Sequence, residues 1–470
     1  MANNKKADVS TPSLAYQEMQ SDLELVNALM GGTETMRAAG QKYLPKEPKE
    51  SKDAYNNRLM RSVLFNAFSD TVQKLVGKPF SKSVTIKDTT PENIKTWSED
   101  IDRCGSNITS FAREVFRSGL IDGLTHILVD YPQKKAENLS LADEQAIEAR
   151  PYAVNIKASN LIAWRSETVN GVEELTQIRI FEQSTVPDGQ WGERQVNRIR
   201  VITKTGFELY ELKDKKWKQI ESGETSLGYI PLVTYYTNKI GFMSAKPPLI
   251  DLAYLNVQHW QSSSDQEHIL HFIRFPLLHG AGFNSDQKQI DIGPNRMILS
   301  EDPNAKLVYV EHSGAAVDAG RQSLKDIEDK MASLGMQILT KRSGDVTATS
   351  DALDTAKSHS ALQDMIRRLE NTFSEVFWLM GKWVNQNADN VSGVNINQDF
   401  GLSLVSGKDE DTLLKSRMAG EISRTTYLSE MKRRNVLSED LNIEDEMSRI
   451  ETEGTTTNII TNPKPKGKTL

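Results

Sequence analysis

The sequence predicts an α+β chain that is mainly helical, and three observations carry that prediction. Apolar residues recur at helical spacing through most of residues 14–78 and again along three long stretches beyond residue 250. Between about residues 151 and 238 the pattern gives way to short β-branched and aromatic runs parted by turn residues. The chain has 470 residues, 38% hydrophobic and 26% charged, which is ordinary globular composition with room for about three lobes.

Residues 1–13, MANNKKADVSTPS, lack the apolar core of a secretory signal and read as a flexible arm. Residues 14–78 read as helical. Met19, Leu23, Val26 and Met30 fall on one face, as do Leu64, Phe68, Val72 and Leu75 later, where Gly77 and Pro79 close the run. A third helix is expected around Ile108, Phe111, Val115 and Leu120, halting near Gly123 before a strand over Thr125–Tyr131. Further strands are expected at Tyr152–Ile156, Thr176–Phe181, Arg198–Lys204, Phe207–Leu212 and Leu232–Tyr236, forming one small antiparallel sheet with a hairpin end at Pro187-Asp188-Gly189.

After Lys246-Pro247-Pro248, residues 251–275 predict one helix spanning about 38 Å, started by the prolines and stopped by Pro276. Residues 276–314, rich in Gly, Asn and Pro, predict a compact excursion with β segments at Arg296–Leu299 and Lys306–Glu311. A second long helix returns through residues 316–340, with Leu324, Ile327, Met331, Leu334 and Ile338 spaced 3, 4, 3, 4. Residues 341–356, KRSGDVTATSDALDTA, predict a loop. The strongest periodicity follows: Leu362, Ile366, Leu369, Phe373, Val376, Met380 and Trp383 are spaced 4, 3, 4, 3, 4, 3, which suits burial inside one chain as well as contact with a neighbour. Beyond Asn385 a strand over Val394–Leu404 precedes short helices, one capped by Ser423 and containing Tyr427, Leu428 and Met431. The ending GTTTNIITNPKPKGKTL holds few large apolar groups and reads as disordered.

Charge and composition exclude several functions. Lys plus Arg number 57 against 64 Asp plus Glu, a net charge of -7, which argues against a surface that grips nucleic acid everywhere. The single cysteine, Cys104, forms no intrachain disulfide, and zinc ribbons and redox pairs are excluded. The uncharged runs Leu252–Ser264 and Ser226–Asn238 are shorter than the ~18 apolar residues of a membrane span, so no membrane association is expected. Residues 251–340 carry 12 acidic and 7 basic side chains, a net of -5 that would not hold duplex DNA tightly.

No stretch satisfies a catalytic motif. Gly467-Lys468-Thr469 lacks both the first glycine of a phosphate loop, replaced by Asn462, and a following helix, so no ATPase is expected. Gly280-Ala281-Gly282 has Ser285 where a dinucleotide fingerprint needs glycine, and reads as a turn. Gly401-Leu402-Ser403-Leu404-Val405 lacks the closing glycine of a nucleophile elbow. His259, His268 and His271 share one helix, and His268 with His271 has metal-ligand spacing, but nothing completes a site; solvated or interface histidines are the simpler reading. Asp409-Glu410-Asp411 and Glu444-Asp445-Glu446 read as solvated helix ends. Lys341-Arg342 and Lys432-Arg433-Arg434 suit either phosphate contacts or cation-favouring helix C-termini. Neither pattern implies a cofactor or a metal.

The order of parts, helix, protrusion, returning helix, polar loop and long helix after a helical and β lobe, resembles bacteriophage portal proteins. Particular segments carry the likeness: Ala38-Ala39-Gly40-Gln41-Lys42-Tyr43-Leu44-Pro45-Lys46, His259-Trp260-Gln261-Ser262-Ser263, Gly293-Pro294-Asn295, and Glu311-His312 through Gly320-Arg321. The resemblance spans about residues 14–450. It implies a portal-like subunit with a wing at 14–250, stem helices at 251–275 and 315–340, and a clip at 276–314. It further implies a tunnel loop at 341–356, a long wing helix at 357–393, a small crown at 394–453 and a disordered tail at 454–470.

The same resemblance implies a homo-oligomeric ring, a dodecamer, at one capsid vertex of the virion, assembled in the host cytoplasm. Double-stranded DNA would pass through it without sequence specificity, while the terminase large subunit hydrolyses ATP. The major capsid protein and head-completion, adaptor or tail proteins would be its other partners. Lys341, Arg342, Ser343 and Lys357 would face the channel, and Asn284, Asp286, Lys288, Asn295 and Arg296 would form the clip docking surface. DNA must slide both ways, so the conduit should avoid a counterion-releasing grip. The competing expectations are another virion structural or minor head protein, and a DNA-processing enzyme, which would need a convergent acidic or metal site.

Overall fold

A computed structural model of the chain describes residues 7–132, 149–225, 227–274, 277–282, 302–310, 315–335, 348–386, 393–398, 407–433, 436–437 and 441–457. The fold is a mixed α/β one in two compact units, Met1–Gln398 and Asp399–Leu470.

The first unit opens with helices α1 (Leu14–Met30), α2 (Gly32–Ala39), α3 (Lys52–Arg61) and α4 (Ala67–Gly77). Three of the starts are set by side chains: Ser13, Ser51 and Asn66 each accept a hydrogen bond from a first-turn amide. Met19, Leu23, Val26, Leu64, Phe68, Val72 and Leu75 are buried, as their spacing predicts. A short β1 (Thr85–Ile86) and α5 (Glu92–Trp97) lead to α6 (Ile108–Asp122). Gly123 ends α6 in the left-handed region at φ 88°, and a Cβ there would lie 2.6 Å from the Lys246 carbonyl oxygen, so glycine serves both turn and close approach.

Strand β2 (Leu124–Asp130) pairs antiparallel with β3 (Tyr152–Lys157) and is buried from Leu124 to Val129, Thr125 and His126 included. Five further strands form an antiparallel meander: β4 (Leu161–Val169), β5 (Val172–Asp188), β6 (Gly192–Thr203), β7 (Gly206–Lys213) and β8 (Lys216–Glu224). Then β9 (Leu232–Tyr236) returns to the other side of β2, completing a three-stranded sheet in the order β3-β2-β9. The one expected sheet is therefore two. Strands β4 and β8 escape the sequence reading because the outer half of β4, ending SETV, and the whole of β8, KWKQIESGE, are largely exposed and polar and give no apolar alternation. The short β10 (Lys239–Gly241) and β11 (Ser244–Ala245) pair as a turn before the long helices.

The expected flexible arm is corrected in part, since residues 8–13 are held. Arg179 Nη1 donates to the carbonyls of Asp8 (3.3 Å) and Val9 (3.0 Å), and Ser13 N donates to Ile162 O at 3.1 Å. Polar composition gives no sign of these main-chain contacts. Met19 and Leu23 of α1 then pack with Ile162, Ile199 and Val201 of the meander, joining the helical and β parts through one core.

Helix α7 (Ile250–Ile273), β12 (Leu277–Ala281), β13 (Lys306–Val310), α8 (Ala315–Leu334) and α9 (Ala348–Trp383) follow. The expected loop at 341–356 is corrected in its second half, since 348–356 are the start of α9; Ala348, Ala352 and Ala356 favour helix where Ser and Thr suggest loop. The seam of α9 is buried inside the unit, with Leu362, Ile366, Leu369, Phe373, Val376 and Met380 all buried. Phe373 meets Phe111 of α6 edge-on at 6.2 Å, Tyr235 Oη donates to Met365 O at 3.1 Å, and Trp383 Nε1 donates to Val129 O at 3.0 Å. The long helix is thus clamped against α6 and the three-stranded sheet. The short β14 (Val394–Asn395) pairs with β1, so residues 394–398 belong to the first unit rather than to the segment that follows.

The second unit contains α10 (Gly407–Met418), α11 (Arg424–Arg433) and α12 (Ile443–Thr457). Ser423 caps α11 as expected, its Oγ accepting from Thr426 N at 3.1 Å. Lys432 is occupied locally, donating to Leu441 O at 2.8 Å. Residues 454–457, expected within a disordered tail, complete α12; residues 458–470 and the expected Gly401–Val405 strand lie outside the described residues.

Candidate functional site

The candidate site is the antiparallel pair α7 and α8 with the strand pair β12–β13 between them in the chain. Leu277 to Ala281 pair in register with Val310 to Lys306. The expected strand at Arg296–Leu299 lies outside the described residues, while Lys306–Glu311 is met by β13. Strand β12 escapes the sequence reading because Pro276 and two glycines suggest a turn.

The first half of α7 buries one face, while Asp251, Tyr254 and Gln258 on the other are exposed. Leu252, Ala253, Asn256, His259 and Trp260 are each at most 5% exposed. Such burial requires polar groups to be answered. Asn256 answers both ways: its Oδ1 accepts from Phe68 N (3.0 Å) and its Nδ2 donates to Phe65 O (2.7 Å). Gln261 Nε2 donates to Tyr43 O at 2.9 Å, and the Ser62 and Ser264 hydroxyls lie 2.8 Å apart. Two of the segments that carry the sequence resemblance, 38–46 and 259–263, therefore touch.

Arg58 ties this region together. Its guanidinium, 5% exposed, donates Nε and Nη2 to the two Glu50 carboxylate oxygens at 2.9 Å each, Nη2 also to Pro45 O at 2.8 Å, and Nη1 to Ser264 Oγ at 3.4 Å. The hydrogen bonds from Arg58 hold the Glu50 carboxyl below its ordinary value. Asp265, 3.6 Å from Arg58, is instead 62% exposed and forms the outer edge of the cluster. Nothing in the sequence pattern points to Arg58; an arginine four residues before a Ser-Val-Leu stretch has no signature of burial.

Helix α8 meets α7 through few side chains. Ile327 and Met331 are buried, and His259 Nε2 lies 3.1 Å from Glu328 Oε1. Gln266 Nε2 donates to Val317 O at 2.9 Å. Gly320 lies opposite, where a Cβ would fall 2.0 Å from Gln266 Oε1. Of the predicted seam, Leu334 is 44% exposed and Ile338 lies outside the described residues. The histidine expectation is corrected in part: His259 is a core residue, 5% exposed and tilted against Phe65 with ring centroids 5.2 Å apart, while His268 Nδ1 lies 3.4 Å from Arg61 Nη2. Burial and the flanking Arg61 and Arg58 hold His268 below its ordinary value.

Most of the expected site residues lie outside the described residues: Lys341, Arg342 and Ser343, and Asn284, Asp286, Lys288, Asn295 and Arg296. Lys357, expected at the beginning of the long helix, falls more than two turns inside α9. Among the described residues no group of three or more His, Cys, Asp or Glu is gathered as a metal requires, and no helix is long and apolar enough to cross a membrane. Cys104 is exposed and free.

Residues 248–384, which comprise the helix pair, the strand pair and α9, match a family model described as Domain of unknown function (DUF4055). No curated protein matches the sequence. Among solved structures, the chain is similar to one in the neck of an empty gene transfer agent particle computed with C6 symmetry, at 10% identity and TM-score 0.42, covering 84% of this chain and 96% of that one. A chain in the neck of the native particle computed with C12 symmetry matches at 10% identity and TM-score 0.40, covering 84% and 97%. One in the virion of the native gene transfer agent matches at 8% identity and TM-score 0.39, covering 78% and 88%.

Proposed function

We propose that the protein is a portal: a ring-forming virion component at one capsid vertex through which double-stranded DNA enters and leaves. The observation that carries the reading is the arrangement of α7, the strand pair and α8. Two antiparallel helices rooted by Arg58, Asn256 and Gln261 in a helical lobe, with a small β element joining them, make a stem bearing a clip. Helix α9 then runs from Ala348 for about 54 Å at the usual rise per residue, buried on its seam in the wing.

In this mechanism the chain is a passive conduit. The stem carries more acid than base, so a duplex beside it is repelled rather than condensed, and the phosphate contacts are left to a few cations, Lys341, Arg342 and Lys357. Asn284, Asp286, Lys288, Asn295 and Arg296 offer polar docking groups to a terminase large subunit and later to head-completion or tail proteins, and the wing faces the major capsid protein. Subunits meet through two different surfaces, which closes a ring when the rotation per copy divides a full turn. Negative-stain images of the purified protein test the reading: rings with a central hole support it, and filled particles or lone protomers reject it.

A further inference from the structure

The hairpin joining β5 and β6 ends at residues 188–192, and Trp191 at its tip is 90% exposed, the most exposed large apolar side chain among the described residues. An indole held out in water on a paired, well-formed hairpin is unusual for a surface that meets only solvent, whereas tryptophan is enriched at the centres of protein interfaces. Asp188 and Glu193 flank it.

A second surface of the same unit has the opposite character. An open groove of about 620 Å³ runs between β9–β10 and α9, of the size that seats a small organic group. Ile240, 67% exposed, and Tyr236 give it an apolar wall. It holds two cations, Lys239 and Arg368, and one exposed acid, Glu375. The Lys239 ammonium sits 5.0 Å over the Tyr236 ring and has no carboxylate partner among the described residues; Arg368 is held by Asp364 at 2.5 Å.

We propose that the Trp191 hairpin tip of one copy docks in the groove of the next, its indole against Ile240 and its Asp188 and Glu193 beside Lys239 and Arg368. The proposal rests on the ring reading and names the contact that closes it. Occupancy by a second copy follows from charge and exposure: a tryptophan tip carrying two acids against one base, Arg194, complements a groove that offers an exposed isoleucine beside an ammonium with no carboxylate partner among the described residues, and two different patches on one chain are what a head-to-tail ring requires. The fit also places the exposed ammonium of Lys239 beside an acid.

The test uses the full chain with Cys104→Ser, carrying Gln190→Cys at the tip and Asn371→Cys in the groove lining, both exposed positions that leave Trp191 and Ile240 in place, treated after assembly with a short bismaleimide. A ladder of covalent multimers is expected with both cysteines and not with either alone. Rings in micrographs without a ladder overturn the docking while leaving the ring intact; absence of rings overturns both. As a second measurement, Trp191→Ala should leave the melting temperature of the protomer unchanged and raise the concentration needed for assembly about thirty-fold, as loss of an interface hot spot does. Lys239→Glu should weaken assembly likewise and be rescued by Asp188→Lys with Glu193→Lys. Unchanged assembly by Trp191→Ala and Lys239→Glu, or capture of a different virion protein by the cysteine at 190, contradicts the proposal.

Discussion

Gln266 reaches from α7 to donate its amide to the main-chain oxygen of Val317 at 2.9 Å, and this contact fixes where along its length α8 lies. It is possible only because Gly320, one turn further on, leaves the space that Gln266 Oε1 occupies. The two residues set helix register with a hydrogen bond and a missing methyl group instead of a wide apolar stripe.

Substitution at Gly320 tests this balance. Gly320→Leu should lower stability by ~1–3 kcal/mol through overpacking. Gly320→Ala gains up to ~1 kcal/mol of helix propensity, which offsets the displaced amide, and should fall near neutral. Urea melts of the single variants and of each combined with Gln266→Ala check it: coupling between the two positions is expected, and strict additivity is not.

Arg58 and Glu50 form a buried pair, so removing one partner strands a charge. Arg58→Ala or Glu50→Ala should cost ~3–5 kcal/mol, and replacing both with apolar residues of similar volume much less. Because the folded Glu50 value is depressed below 4.5, its contribution is complete above that pH and is lost as pH falls through the lower folded value. Thermal melts over the acid range should show a loss of stability that disappears in the apolar double variant.

Asp122 and His126 oppose one another in pH dependence. Asp122 is 2% exposed and, chiefly through burial, pushed up from 3.8 to about 7, with Asn27 Nδ2 donating to it at 3.0 Å. Its contribution is complete below 3.8 and is lost as pH rises through about 7. His126, buried and 2.9 Å from Thr234 Oγ1, is lowered to about 3, so its contribution is complete above 6.5 and is lost as pH falls toward 3. Asp122→Asn keeps the oxygen that Asn27 needs and should match the parent near pH ~4. Above pH ~7 it should exceed the parent by a few kcal/mol, since each tenfold change in the proton equilibrium is worth ~1.4 kcal/mol. Equal melting temperatures of variant and parent at pH ~8 would contradict the buried-acid assignment.

Replacing Lys341 and Arg342 together with Ala tests the proposed channel contacts. Particle assembly should be unchanged, while DNA retention after packaging should fall, as measured by nuclease-resistant DNA per head. Packaging, retention and ejection all at parental levels would remove the role assigned to these cations.

Much of the framework is legible where periodicity is strong. The seam of α9, the α6–Gly123–β2 transition and the Ser423 cap all follow from spacing and capping residues. What spacing does not reveal shares a physical cause. Strands β4 and β8 are stabilised by main-chain pairing with exposed, polar side chains, so they leave no apolar signature. Residues 8–13 are held by carbonyls, which every residue has. Within the candidate site, Asn256 and Gln266 act through contacts across 51 to 191 residues of sequence, and Arg58 through partners as near as Glu50 and as far as Ser264; only the folded chain brings them together. His259 reads as a surface group because polarity governs expectation for histidine, whereas it sits on the buried face of α7 with Leu252, Asn256 and Trp260.

A cryo-electron-microscopy map of the purified oligomer tests the central proposal most directly. It should show a closed ring in which α7 and α8 of every copy line a central hole wide enough for a DNA duplex, with the β12–β13 end at one mouth. Solid particles, open filaments or protomers whose helix pairs point away from a common axis would contradict it.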